Sequence, residues 1–339
     1  MRKLEKYIIS NLSILFFSML LPLFTIASIV FLIKLSTATA VIDISAFEMF
    51  KLYLFVFPEI LFYTMPLTFF VAASLAIYKL STDNEMVVLF SLGINPNIII
   101  KILFKPALFL SILTLFNYLL IYPHTKVLSD NFIEQKKSNA QLNLSASEFG
   151  NKFGEWLVFI EKNNPDGSYE DVVLFKKTDK EEIIIGAKRA EIINEANILK
   201  LELFNGKGYN YSKNKFSEIS FKEMNINNKL DSDYMQYRSA YGYWTSEEKH
   251  KRKKTMLVVN TMFSLFPIFS LFLVASIGIV HARHQKGMTY LYIFLGILAY
   301  YGATLSLEKT IGFYTIPLVF SVWISITYFI YKRKVLSRF

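Results

Sequence analysis

Residues 8–33 read IISNLSILFFSMLLPLFTIASIVFLI, an apolar run of 26 residues without a single charge. About 20 such residues in a helix cross the hydrocarbon core of a bilayer, so the run predicts a spanning segment. Arg2, Lys3 and Lys6 give it a basic start, and Ala38-Thr39-Ala40 resembles a cleavage site. A secretory signal has an apolar core of only about 7–15 residues, so the length favours a retained helix. Working outward with the same criterion places five more spans, near Leu52 to Tyr78, Asn97 to Tyr122, Met256 to Val280, Met288 to Leu307 and Phe313 to Tyr331. Between the third and fourth lies a polar stretch without helical periodicity.

The charges are segregated in the same way. Of 37 basic and 27 acidic residues, 18 and 20 fall between His124 and His250, which leaves 19 and 7 for the remainder. The net charge of +10 therefore belongs to the apolar part, and the inserted stretch is slightly acidic. Nucleic-acid binding would need the excess on the soluble domain, so that class is set aside. Cations near spans instead report orientation. With the amino terminus inside, the cytoplasmic side collects Arg2, Lys3, Lys6, Lys79, Lys101, Lys105, Arg283, Lys286, Lys332, Arg333, Lys334 and Arg338. The opposite side then holds Lys34, Lys51, Lys309 and the run Lys251, Arg252, Lys253 and Lys254. This balance predicts both termini in the cytoplasm and the insert outside it. The run after His250 is the anomaly, because the orientation rule disfavours cations there.

Within the insert, Trp156 to Ile160, Val172 to Phe175, Ile183 to Ile185 and Ile198 to Leu203 are β-branched, aromatic or alternating. Asn164-Pro165-Asp166-Gly167, Asn194 to Asn197 and Asn205-Gly206-Lys207-Gly208 carry turn chemistry between and after them. Short strands at regular spacing predict a sandwich, jelly roll or barrel-like sheet. Thr125 to Asn139 reads as a polar helical extension of the third span, and Asp231 to Lys249 as a polar re-entry segment.

Catalytic signatures are missing. The sequence contains no Gly-rich Lys-Ser/Thr phosphate loop, Gly-x-Ser-x-Gly or His-Glu-x-x-His pattern, and its lack of cysteine removes thiol and iron–sulfur chemistry. His281 and His284 stand three apart but have no third ligand nearby, so neither metal nor cofactor is expected. Glu59, about two turns into the second span and beside Pro58, reads as structural, with a functional intramembrane acid as the alternative. Any work against a gradient must draw its energy from another protein.

The stretch STDNEMVVLFSLGINP, Ser81 to Pro96, joins the second and third spans. Thr82 followed by Glu85 has capping-box spacing, Gly93 suits a left-handed stop, and Pro96 can open the next helix. Met86, Val87, Val88, Leu89, Phe90 and Leu92 are too apolar for a free loop. A short helix here must lie on the membrane or fill a groove of another protein, with Glu85, Met86, Leu89 and Phe90 as the docking contacts.

The ordered set of Asp83-x-Glu85 ahead of an apolar stretch ending at Gly93, Pro58 and Pro66 in the second span, Pro123 leaving the third, and Glu248-x-His250-x-Arg252 entering the fourth resembles the LptF/LptG (YjgP/YjgQ-like) lipopolysaccharide export permeases over essentially the whole chain. It departs at Phe90 and Ser91, where that family often has an arginine. The resemblance implies an α+β membrane protein: residues 1–123 as three transmembrane helices with a cytoplasmic docking helix near 82–93, residues 124–250 as a jellyroll-like periplasmic domain, and residues 251–339 as three more helices. It implies a non-enzymatic permease subunit of an ABC-type exporter in the bacterial inner membrane, paired with a paralogous permease. A cytoplasmic ATPase dimer would power it, and a periplasmic jellyroll bridge would receive the lipopolysaccharide. Lys34, Lys251, Arg252, Lys253 and Lys254 would meet the anionic substrate. A permease for another lipid or lipoprotein, and a non-transporting membrane sensor or scaffold, are the alternatives the residues leave open.

Overall fold

The computed structural model of the chain describes residues 2–39, 44–142, 147–153, 155–164, 167–178, 181–195, 198–212, 215–229, 239–245, 250–280 and 288–337. Expectations that rest on Asp166, Glu248, His281, Arg283, His284, Lys286 and Arg338 fall outside these residues. The chain divides into two compact units, one made of Met1–Leu35, Phe50–Ser129 and Tyr237–Phe339, the other of Ser36–Met49 and Asp130–Gln236.

The first unit is helical. It is built from α1 (Arg2–Thr39), α2 (Ala46–Thr82), α3 (Glu85–Ser91), α4 (Asn97–Phe116), the start of α5 (Tyr122–Leu142), α6 (Ala240–Thr245), α7 (His250–Phe269), α8 (Leu271–Gly278), α9 (Thr289–Ile311) and α10 (Thr315–Tyr331). Four helical runs among the described residues are long and apolar enough to cross a membrane: Arg2–Ser36, Ala46–Thr82, Asn97–Ile133 and Thr289–Leu336. The pair α7 and α8, bent by 46°, makes a fifth if read as one span. Pro267 lies just before that bend, where its missing N–H and its ring weaken the helical ladder.

The run Thr289–Leu336 folds back on itself. A three-residue tight turn, Gly312–Tyr314, separates α9 from α10, and Gly312 has a positive φ of 56°. The Lys334 Nζ lies 4.7 Å from the centre of the Tyr292 ring, and the rings of Tyr300 and Trp323 are 5.0 Å apart. At 1.5 Å per residue a straight helix would hold each of these pairs far apart, so α9 and α10 are antiparallel neighbours.

α2 is the central helix, with 72% of its apolar window buried against 11% for α1. Phe69, Phe70, Ala73 and Ile77 of α2 share a core with Leu103 of α4, Phe266 of α7, Val274 of α8 and Tyr300 of α9. A Cβ added at Gly278 would stand 2.6 Å from the Ile77 side chain. Small residues of this kind let backbones approach in helical bundles where lipid offers no competing polarity. The other face of α1 exposes Ile14, Phe17, Leu21, Ile26 and Ile33, a composition suited to hydrocarbon.

Among the described residues the second unit holds a six-stranded antiparallel sheet in the order β1-β2-β3-β4-β5-β6, with β1 Ser147–Phe153, β2 Trp156–Asn163, β3 Tyr169–Lys177, β4 Glu181–Glu195, β5 Ile198–Ser212 and β6 Lys215–Lys229. Alternation works as expected of a one-sided sheet: Val158, Ile160, Val172, Leu174, Ile185, Ala187, Leu201 and Leu203 are buried together. The six described strands run as a meander, each paired with the next in sequence.

Asn205 to Gly208 departs from the turn expected there. The turn chemistry there lies in the middle of β5, which continues to Ser212. Glu161, Asp171, Lys188, Asn205 and Lys222 form one rung across β2 to β6 at which the regular pairing lapses, while the pairs on both sides keep register. Asp171 and Asn205 have positive φ of 47° and 52°. The residues that usually make hairpins therefore crease the sheet here. Gly206 beside the crease leaves room for its neighbours, since a Cβ would lie 2.3 Å from the Gly186 carbonyl oxygen and from the Phe221 ring.

Candidate functional site

The loop between α2 and α4 folds as the short helix α3, but its amino end is not the capping box that Thr82 and Glu85 spell out. Thr82 remains in α2 and its hydroxyl donates back to the Lys79 carbonyl at 2.9 Å. Asn84, at a left-handed φ of 61°, stands at the N-cap without a side-chain capping bond. Glu85 is thereby released to turn elsewhere: its Oε1 accepts a hydrogen bond from the Tyr7 hydroxyl of α1 at 2.8 Å. The carboxyl end follows its sequence signal. Gly93 has φ 79°, the Ile94 N–H donates to the Leu89 carbonyl and the Gly93 N–H to the Phe90 carbonyl, which together make a Schellman stop.

Helical spacing sorts α3 into two faces. Met86 is 1% exposed, and Leu89 and Phe90 pack with it against the helical core. Glu85, Val88 and Leu92 line the other side, where Val88 and Leu92 are exposed. Of the four expected docking contacts, Glu85 lies on the outward side, Leu89 and Phe90 are half buried, and Met86 is turned inward as the anchor of α3. An all-apolar run of this length does not say which stripe the bundle takes. Lys105 of α4 pairs with Glu5 of α1 at 2.5 Å.

The second candidate site is the start of α7. Arg252 and Lys254 are exposed and Lys253 is buried; the Lys251 side chain is outside the described residues. Lys253 Nζ lies 4.6 Å from the centre of the Tyr243 ring of α6, so that cation is held by an aromatic face. The first turn of α7 contains no acidic residue. Cations at a helix amino end oppose its dipole by about 0.3–1 kcal/mol each, so local helix energetics do not explain this cluster. Lys34, near the far end of α1, is exposed and has interactions of its own.

The aromatic bracket beside α7 escaped the reading of residues 231–249 as a polar re-entry. Trp244 packs on Tyr118 with ring centres 5.1 Å apart and donates its Nε1–H to the Leu119 carbonyl at 3.2 Å. Phe62, Tyr118 and Tyr122 form the buried centre of this cluster, where a π-helical turn, Asn117–Ile121, interrupts the third span. Asn117 Nδ2 donates to the Pro58 carbonyl at 2.8 Å, which ties that turn to α2. Tyr241-Gly242-Tyr243-Trp244 is the signal that could have revealed the bracket, four residues rich in aromatics inside a polar stretch. Glu59, next to Pro58, is half buried and has interactions of its own.

No group of three or more acidic, His or Cys residues that could hold a metal occurs among the described residues. The family described as "Lipopolysaccharide export system permease LptF/LptG" matches residues 6–331. No curated protein matches the chain.

Proposed function

The chain belongs to the LptF/LptG family of lipopolysaccharide export permeases, and on that premise we propose that it is one of two paired permease subunits driven by a cytoplasmic ATPase dimer docked on α3. The family makes it a multi-pass inner-membrane transport component. The finer assignment rests on one observation above others: α3 is a short helix, anchored by Met86 and ended by a Schellman stop, that presents a carboxylate and the exposed apolar residues Val88 and Leu92. A loop helix with that outward face is suited to a groove in a partner.

Six spans follow if α7 with α8 counts once and the antiparallel limbs α9 and α10 count separately. Residues 1–123 then carry three spans and α3, residues 124–250 the periplasmic sheet domain, and residues 251–339 the other three. Both termini are cytoplasmic in this reading. Arg252 and Lys254, with Lys251 and Lys34, meet the phosphates of lipid A at the outer mouth, where a guanidinium can grip phosphate through two hydrogen bonds. Lys253 acts structurally through Tyr243. The sheet domain passes lipopolysaccharide to a periplasmic bridge protein, and the energy comes from the partner ATPase.

Photocrosslinking residues placed at Val88 and at Arg252 in the assembled exporter test both ends. The expected products are the ATPase from position 88 and lipopolysaccharide from position 252. Capture of ordinary phospholipid as readily as lipopolysaccharide at 252, with export unaffected by Arg252→Glu, would instead favour a membrane anchor and the permease for another lipid.

A further inference from the structure

The hydrogen bond between Tyr7 and Glu85 joins residues 78 positions apart, one at the start of the first span and one on the docking helix. It is a charge-assisted contact, and Tyr7 is 45% exposed. Elsewhere α1 meets α2 through Ser28 and Tyr53, whose hydroxyls lie 3.0 Å apart, and through Phe24 and Phe57, with ring centres 5.2 Å apart. Only 11% of its apolar window is buried, although Ile8 and Leu12 next to Tyr7 reach the core and Glu5 pairs with Lys105. The contacts of α1 with α3 and α4 are thus concentrated at this end.

A carboxylate offers about four acceptor sites on two oxygens. Tyr7 occupies one on Oε1, which leaves Oε2 available to a cationic donor from outside. We propose that Tyr7 is a positioning residue for ATPase docking: its hydroxyl holds the Glu85 carboxylate so that one group bridges the docked ATPase and the first span. The inference rests on the assignment of α3 as the docking helix. Movement of α3 by a bound partner is then felt directly at α1.

The test uses the whole exporter, with Tyr7→Phe, Glu85→Ala and the double variant, and reads ATPase affinity for the permease pair together with ATP-driven lipopolysaccharide release. Tyr7→Phe removes one hydroxyl and keeps the ring. It should weaken ATPase affinity about three- to ten-fold, as loss of a charge-assisted hydrogen bond at a half-exposed site does, with an unchanged thermal midpoint. The double variant should be no weaker than Glu85→Ala alone, because two residues acting through one contact are not additive. If Glu85→Ala weakens docking and Tyr7→Phe does not, or if the two losses add, the role of Tyr7 is refuted while the docking helix stands. If neither changes docking, both fall.

Discussion

Lys253 and Arg252 are neighbours in sequence and opposites in environment, one buried and the other exposed. Lys253 is buried with its ammonium near the Tyr243 ring, so Lys253→Ala should lower stability by about 0.5–2 kcal/mol, read as a lower thermal midpoint in detergent. Arg252→Glu touches an exposed side chain. It should leave the midpoint alone and reduce lipopolysaccharide crosslinking and export. The dense run of cations at the start of the fourth span was legible in the sequence. Which of them points outward was not, because consecutive helical positions differ by about 100° and only packing sets the phase. Gly93 makes a parallel case at α3. Nothing lies within 4 Å of a Cβ built there, yet its φ is +79°, so Gly93→Ala should cost about 1–2 kcal/mol through backbone strain alone, with Gly93→Asn milder. Equal thermal midpoints for the Ala variant and the parent protein would contradict that reading.

At the scale of elements, the strands of the insert were visible in their alternation, and so was the short helix between the second and third spans. The meander order and the crease were not. Asn205-Gly206 favours left-handed backbone in any context, and whether that backbone ends a strand or bends it depends on pairing with distant strands. The two glycines at the crease offer a paired test. Gly206→Ala should destabilise the sheet unit, because the added methyl meets the Gly186 carbonyl and the Phe221 ring, whereas a Cβ at Gly186 meets nothing within 4 Å. Limited proteolysis of the full chain should cut the first variant faster and the second at the parent rate. A milder effect concerns acid. Lys176 beside Glu155 holds that carboxyl below its ordinary value of 4.5, so the contact stabilises the fold above that value and is lost as the pH falls through the lower folded-state value. The pair is exposed, so Glu155→Gln should flatten the acid limb of the unfolding midpoint only slightly.

For the whole molecule, the cysteine-free sequence makes topology directly measurable. Single cysteines at Asp166 and Arg333 should divide cleanly: Asp166→Cys labelled by an impermeant thiol reagent in intact spheroplasts, Arg333→Cys only after lysis. The opposite pattern would invert the orientation and move the cations of α7 to the cytoplasm. Membrane character and the inserted sheet unit could both be read from hydropathy and charge. The fold-back at Gly312–Tyr314 was expected from the interruption between two apolar runs. The aromatic bracket around Trp244 was hidden, because its partners Tyr118 and Leu119 lie on the far side of the insert in sequence. The most direct measurement is lipopolysaccharide release from proteoliposomes that contain this chain, its paired permease and the ATPase, with the bridge protein as acceptor. ATP-dependent transfer of lipopolysaccharide to the acceptor, reduced by Glu85→Ala and by Arg252→Glu, is the predicted result. ATP-driven release of lipopolysaccharide that is unchanged by both substitutions would contradict the proposed sites, and ATP hydrolysis by the intact assembly without any release would contradict the proposed role of the chain.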